Sequence, residues 1–198
     1  MKKIAIKSKW ISLNEGTNSL DYLERAYQFI KETETDPIAW KWVILSLHGA
    51  LYGFAICACK GTSNNSVTIQ TKRGRKKLIF FDDALVMCQD PQIMQMYFHS
   101  KHLVISDRQK ESIKYLKQTL RNNFEHYIPR LWSIEIHGMP QVCIDVLDVI
   151  RFLAIDTHNY IHFNQSQIRK IKSLVYQSKK LLKKSTLFKE LQIASELY

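Results

Sequence analysis

Between Trp42 and Cys59 the chain runs for 18 residues without a Lys, Arg, Asp or Glu. No other feature restricts the fold as much. A run of that length and character reads either as a membrane span at its lower limit or as a helix enclosed on all sides by other helices. Two observations favour the enclosed helix: His48 sits near the middle of the run, and amphipathic segments flank it. The stretch "DPIAWKWVILSLHGALYGFAICACKG" carries a start signal in Asp36-Pro37 and a stop signal in Gly61. Gly49 and Gly53 form a GxxxG spacing suited to close helix packing, and His48 reads as a hydrogen-bonded core histidine.

The other long segments repeat their apolar residues every three or four positions, as a helix with one buried face requires. In "SLDYLERAYQFIKETE" these are Leu20, Leu23, Ala26, Tyr27 and Ile30, with Asn18 or Ser19 as the cap. In "SDRQKESIKYLKQTLRNNFEHYIP" they are Ile113, Leu116, Leu120 and Phe124. There Ser106 or Asp107 is the cap, Glu111 is placed for a capping box and Pro129 is the stop. "QVCIDVLDVIRFLAIDTHNY" and the lysine-rich "SQIRKIKSLVYQSKKLLKKS" complete the set. Six Gly and four Pro in 198 residues leave little room for a loop-rich β fold. The expected architecture is a single all-α domain over 1–198, an antiparallel helical bundle. Between its second and third long helices lies an irregular, basic insertion, residues 61–106. There "VTIQTKRGRKKLI" reads as a small hairpin or an ordered loop, and "FFDDALVMCQDP" as a short helix ended by Pro91.

Charge points outward from the fold. With 29 Lys+Arg against 18 Asp+Glu the formal charge is +11, which suits a polyanionic partner. "KRGRKK", with Lys72, Arg73, Arg75, Lys76 and Lys77, and "KKLLKK" read most simply as solvated faces; if the partner is RNA, they are its natural phosphate contacts. The four cysteines form no CxxC pair and lie in apolar surroundings, as reduced thiols in a cytoplasmic protein would. The N-terminal "MKKIAIKSKWISLNEG" lacks the apolar stretch of a signal peptide. His158 and His162 sit at i, i+4 but lack a third ligand nearby and an HExxH glutamate, and His99 and His102 fall in a segment whose pattern is ambiguous, so no metal site is expected.

The chemistry-bearing stretch is "RNNFEH", Arg121 to His126. On an ideal helix Arg121 faces Glu125, and Asn122 faces His126. Arg121 and His126 diverge by about 140°. Read locally, Arg121 pairs with Glu125 and His126 is a residue favoured at a helix C-terminus. The stretch also resembles the R-x4-6-H motif of the HEPN superfamily, here R-x4-H with the polar Asn122 directly after the arginine and the motif ending the third long helix. The preceding apolar helix is similar to the second helix of many members, and the likeness covers roughly residues 19–176. It implies a bacterial standalone protein of defence or toxin type: a metal-independent endoribonuclease without a cofactor, with Arg121, Asn122 and His126 as the catalytic group. The expected partners are RNA, a second copy docked through the motif-bearing helix, and an antitoxin. The alternative is a non-catalytic HEPN-like module binding nucleic acid or protein. Some toxins of the family carry R-x4-H-x-Y and are silenced at that tyrosine. Here Ile128 stands in its place and Tyr127 comes one residue early.

The chemistry fits the residues. RNA brings its own nucleophile, the 2′-OH. A histidine moves protons at neutral pH, and a permanently charged arginine holds phosphate oxygens as charge builds. One histidine per motif leaves the second proton-transfer group unaccounted for, and a two-fold interface would supply it.

Overall fold

The computed structural model describes residues 9–61, 63, 66–125, 129, 131–159 and 163–196, with side chains to 193. Helix α1 spans Glu15–Glu32 and α2 spans Ala39–Lys60, joined by a short turn. The pairs Lys60–Glu15, Gly53–Ser19 and Gly49–Tyr22 show that α1 and α2 run antiparallel. The two glycines make this packing close. A Cβ on Gly53 would stand 2.1 Å from Ser19 Oγ, and one on Gly49 would stand 2.8 Å from the Tyr22 ring.

The apolar run is the centre of the molecule. Val43, Ile44, Leu47, Ala50, Leu51, Phe54 and Ala55 are all fully buried. They pack against α1, α3 (Phe81–Gln89), α7 (Met139–Arg151) and the two π-helical segments described below. Among the described residues α2 is the one helix long and apolar enough to cross a membrane, and 72% of that window is buried inside the bundle.

The first cap lies upstream of its expected place. Asn14 rather than Asn18 or Ser19 caps α1: its side chain accepts the Thr17 N–H at 2.8 Å, and Thr17 Oγ1 accepts the Asn14 N–H at 3.0 Å. Gly16, a poor helix former, stands inside this first turn because a Cβ there would press to 3.1 Å from Phe163. α2 begins at Ala39, after a turn in which Asp36 Oδ1 accepts the Ile38 N–H.

The basic insertion is an antiparallel hairpin, β1 (Thr68–Gln70) with β2 (Lys76–Leu78), followed by α3 and the single turn α4 (Pro91–Met94). Gly74, at φ +73°, makes the hairpin turn, a left-handed position where glycine is unstrained. Pro91 opens α4 rather than merely closing α3, with Asp90 as its cap. Buried Asn159 fastens the insertion to the bundle. It accepts from Ser100 Oγ at 2.7 Å and donates to the carbonyls of Met94 and Ala58.

α5 (Asp107–Lys114) is capped by Ser106, and the box is closed by Gln109 rather than Glu111, since the third helical position is the one that reaches back. The helix then continues as a π-helical segment, Tyr115–Arg121, and ends in α6, Asn122–Glu125. A second π-helical segment, Phe152–Asp156, follows α7. α8 (Gln165–Lys184) and α9 (Thr186–Glu196) close the chain. α8 lies beside α1 and points the same way, as Lys170–Glu24 and Gln177–Tyr27 show. That direction follows from an up-and-down path, where the first and fifth long helices are parallel.

Candidate active site

Arg121 is the last residue of the first π-helical segment. Wide i→i+5 turns of this kind are rare and concentrate at functional positions. Leu116 and Leu120 are fully buried and anchor the segment on α2. Lys117 and Arg121, one residue on from each, mark the cationic side. Lys117 pairs with Asp82. The Arg121 side chain is 29% exposed and its guanidinium is bound by its own chain: Nη2 lies 2.6 Å from Glu125 Oε2, and Nη1 donates to Asn122 Oδ1 at 3.1 Å. Its Nε is buried and has no hydrogen-bond partner among the described residues. The Arg121–Glu125 pairing read from helical spacing is therefore present, and Asn122 holds the arginine. His126, Tyr127 and Ile128 lie outside the described residues.

Arg121 and Glu125 form one wall of a cleft of about 550 Å³. α1 contributes Glu15, Asn18 and Tyr22, and the hairpin base contributes Val67, Thr68 and Leu78. The floor is α2. That helix is not apolar all round: His48, Tyr52 and Lys60 fall on one stripe at multiples of four, all toward the cleft. Tyr52 donates its hydroxyl to the Ile79 carbonyl, which ties the hairpin to the floor, and Lys60 pairs with Glu15 at the far end. The five basic residues of the insertion, Lys72, Arg73, Arg75, Lys76 and Lys77, are exposed around the hairpin tip, with Lys77 Nζ 4.1 Å from the Phe80 ring centre. They stand outside the cleft, on the hairpin whose base lines it.

His48, read from the sequence as a core histidine, belongs to the cleft instead. It is half-buried and stacks on Phe81 at 4.7 Å between ring centres. It lines the cleft instead of closing a hydrogen bond in the core. Burial first, then the charges of Arg121 and Lys117, lower its pKa from 6.5 to about 4, against a smaller opposing effect of Asp82. At neutral pH this imidazole is unprotonated, and the burial and positive charges that keep it neutral also make it a weak base in the empty cleft. The available signal was the i, i+4 spacing to Tyr52 and onward to Lys60, a polar stripe crossing an otherwise apolar run.

The lowered pKa has a consequence for stability. Between pH 6.5 and 4 the unfolded chain binds a proton at His48 that the native chain does not. The contribution is intact above about pH 6.5 and is lost as pH falls through that window, up to about 3 kcal/mol from a shift of this size. His48→Gln is therefore expected to lose less stability than wild type in urea melts between pH 7 and 4. Parallel losses in both proteins would show that the ring is not held neutral.

The remaining candidates recede. Among the described residues no group of three or more His, Cys, Asp or Glu side chains converges on a metal position. His158 ends its turn in a left-handed conformation and His162 lies outside the described residues. His99 meets Phe98 edge to face. All four cysteines are free and buried; burial pushes the Cys57 thiol up to about 12 and raises that of Cys143, and a hydrogen bond with Cys59 raises that of Cys88 while lowering that of Cys59, so Cys57, Cys88 and Cys143 are poor nucleophiles.

Comparison with known proteins finds no matching family model, curated protein or solved structure.

Proposed function

We propose that this chain is a HEPN-like, metal-independent endoribonuclease of the bacterial cytoplasm, acting as a homodimer in a defence or toxin role. The observation that supports it most is the placement of Arg121 and an unprotonated His48 in one cleft whose wall carries a basic hairpin. The phosphate entering the cleft offsets the charges of Arg121 and Lys117 and strengthens His48 as a base, and His48 accepts the proton of the RNA 2′-OH. The 2′-oxygen attacks the adjacent phosphorus and the bond from phosphorus to the 5′-oxygen breaks. His126 of the motif, protonated, gives its proton to that leaving oxygen. Arg121 exchanges Glu125 for the phosphate oxygens and stabilises the charge that builds on them. The products are a 2′,3′-cyclic phosphate and a 5′-OH. With His48 in the cleft, each chain carries two imidazoles for the reaction, so dimerisation is no longer needed to supply the second one.

A specific observation favours the second reading, a non-catalytic nucleic-acid-binding module: Glu125 already occupies the guanidinium. Activity in chelator separates the two. Purified protein is expected to cleave single-stranded RNA in excess EDTA at a rate unchanged by added Mg²⁺. Cleavage that requires Mg²⁺ or Mn²⁺ would remove the mechanism, and RNA binding without cleavage would favour the module.

A further inference from the structure

A second cleft, about 740 Å³, lies between α7 and α8 and shares no residue with the one around Arg121. Its floor is the buried Val175 and its rim is basic. Two of the rim cations are answered by acids: Lys179 pairs with Asp148, and Arg151 lies 3.7 Å from Asp156. Lys172, Lys180, Lys183 and Lys184 are exposed and have no acidic partner among the described residues. Between them Tyr176 stands 67% exposed. At the α-helical rise, Lys172 to Lys184 spans roughly 18 Å along one side of α8.

Four unpaired lysines held on a rigid helix repel one another, and an extended polyanion laid along the groove relieves that repulsion. An exposed aromatic ring amid the lysines adds what a simple anion cannot use, a stacking surface for a base. An anionic membrane fits less well. Membrane-surface helices present an apolar face outward, whereas the apolar face of α8, with Ile168, Ile171, Leu174 and Val175, is buried in the bundle.

We infer that the α7–α8 groove is a docking site for single-stranded RNA, separate from the cleavage cleft, in which the four lysines take backbone phosphates and Tyr176 stacks on a base. The ligand class rests on the RNA reading above.

The test uses the full chain and a fluorescein-labelled 20-nucleotide 2′-O-methyl oligouridine, which cannot be cleaved through its 2′-oxygen. Binding is followed by fluorescence anisotropy from 50 to 300 mM salt. The quadruple variant Lys172→Glu, Lys180→Glu, Lys183→Glu, Lys184→Glu is expected to bind at least 30-fold more weakly. Its salt dependence should also flatten, by about 3 in the slope of log Kd against log salt for four lost phosphate contacts. The corresponding Lys→Gln set, which adds no negative charge, should flatten the slope similarly. Tyr176→Ala should weaken binding at least 5-fold with the slope unchanged. Unchanged affinity in these variants, together with loss of binding in Arg121→Ala, would overturn the groove and leave the cleft reading standing. Binding of the wild type to phosphatidylserine vesicles but not to the oligonucleotide would overturn the groove as an RNA site. Cleavage of RNA by wild type in EDTA, measured alongside, reports separately on the proposed activity.

Discussion

Arg121→Ala is expected to lower RNA cleavage by about 10²-fold or more, the usual cost of losing a charge that stabilises a transition state. The protein should remain folded. The pair lost with it is 29% and 44% exposed, a class of surface contact worth about 1 kcal/mol or less. The substitution also removes a buried Nε that has no partner among the described residues, so no core hydrogen bond is broken there. Arg121→Lys is the sharper probe. It keeps the charge but loses the planar fork, and should recover only a part of the rate. His126→Ala should fall as far, since a general acid contributes about 10²–10⁴-fold. Full activity in Arg121→Ala, in a nuclease-free preparation with native circular dichroism, would refute the assignment.

Asp145→Ala should give the largest stability loss, about 2–4 kcal/mol. This carboxylate on α7 is 1% exposed and fully engaged. It accepts from Arg108 Nε at 3.1 Å, and Arg108 Nη2 forms an ion pair with it at 3.0 Å. Ser112 Oγ at 2.9 Å and Gln141 Nε2 at 2.9 Å complete its set. Alanine leaves the buried Ser112 hydroxyl without its acceptor. Arg108, 71% exposed on its side chain, returns to water, which keeps the loss below that of stranding a buried ion. The effect reaches the cleft, because Asp145 holds α5 on α7 and α5 runs on into the segment that ends at Arg121. Urea melts measure the loss. A midpoint unchanged, or shifted by less than about 0.5 kcal/mol in stability, would show the network to be incidental.

The bundle was legible because burial imposes periodicity. The uncharged run had to lie at the centre, and its two glycines had to meet a neighbouring helix, as they do at Tyr22 and Ser19. Caps were harder to place. Asn14 was hidden by Gly16, whose reason for being in a helix is a ring 147 positions away in sequence, Phe163. The π-helical segments were not legible, since Ile113, Leu116, Leu120 and Phe124 repeat as they would in an α-helix while the hydrogen bonds shift by one residue. α9 was missed because Ser185 ends α8 with every sign of a terminus, yet its hydroxyl then accepts from Phe188 N–H at 3.3 Å and starts another helix. In the candidate site Arg121 and Asn122 stood out by their chemistry. His48 did not, because a single histidine in an apolar run looks like core until the cleft that it faces is known.

The most direct measurement uses an oligonucleotide that is 2′-O-methylated throughout except for one ribonucleotide, incubated with the protein in EDTA. Cleavage on the 3′ side of that ribonucleotide alone, leaving a 2′,3′-cyclic phosphate and a 5′-OH, is the result predicted by attack of the 2′-OH under Arg121, His48 and His126. Cleavage of the fully methylated strand, or no cleavage of the substrate and of its all-ribose counterpart, would contradict it.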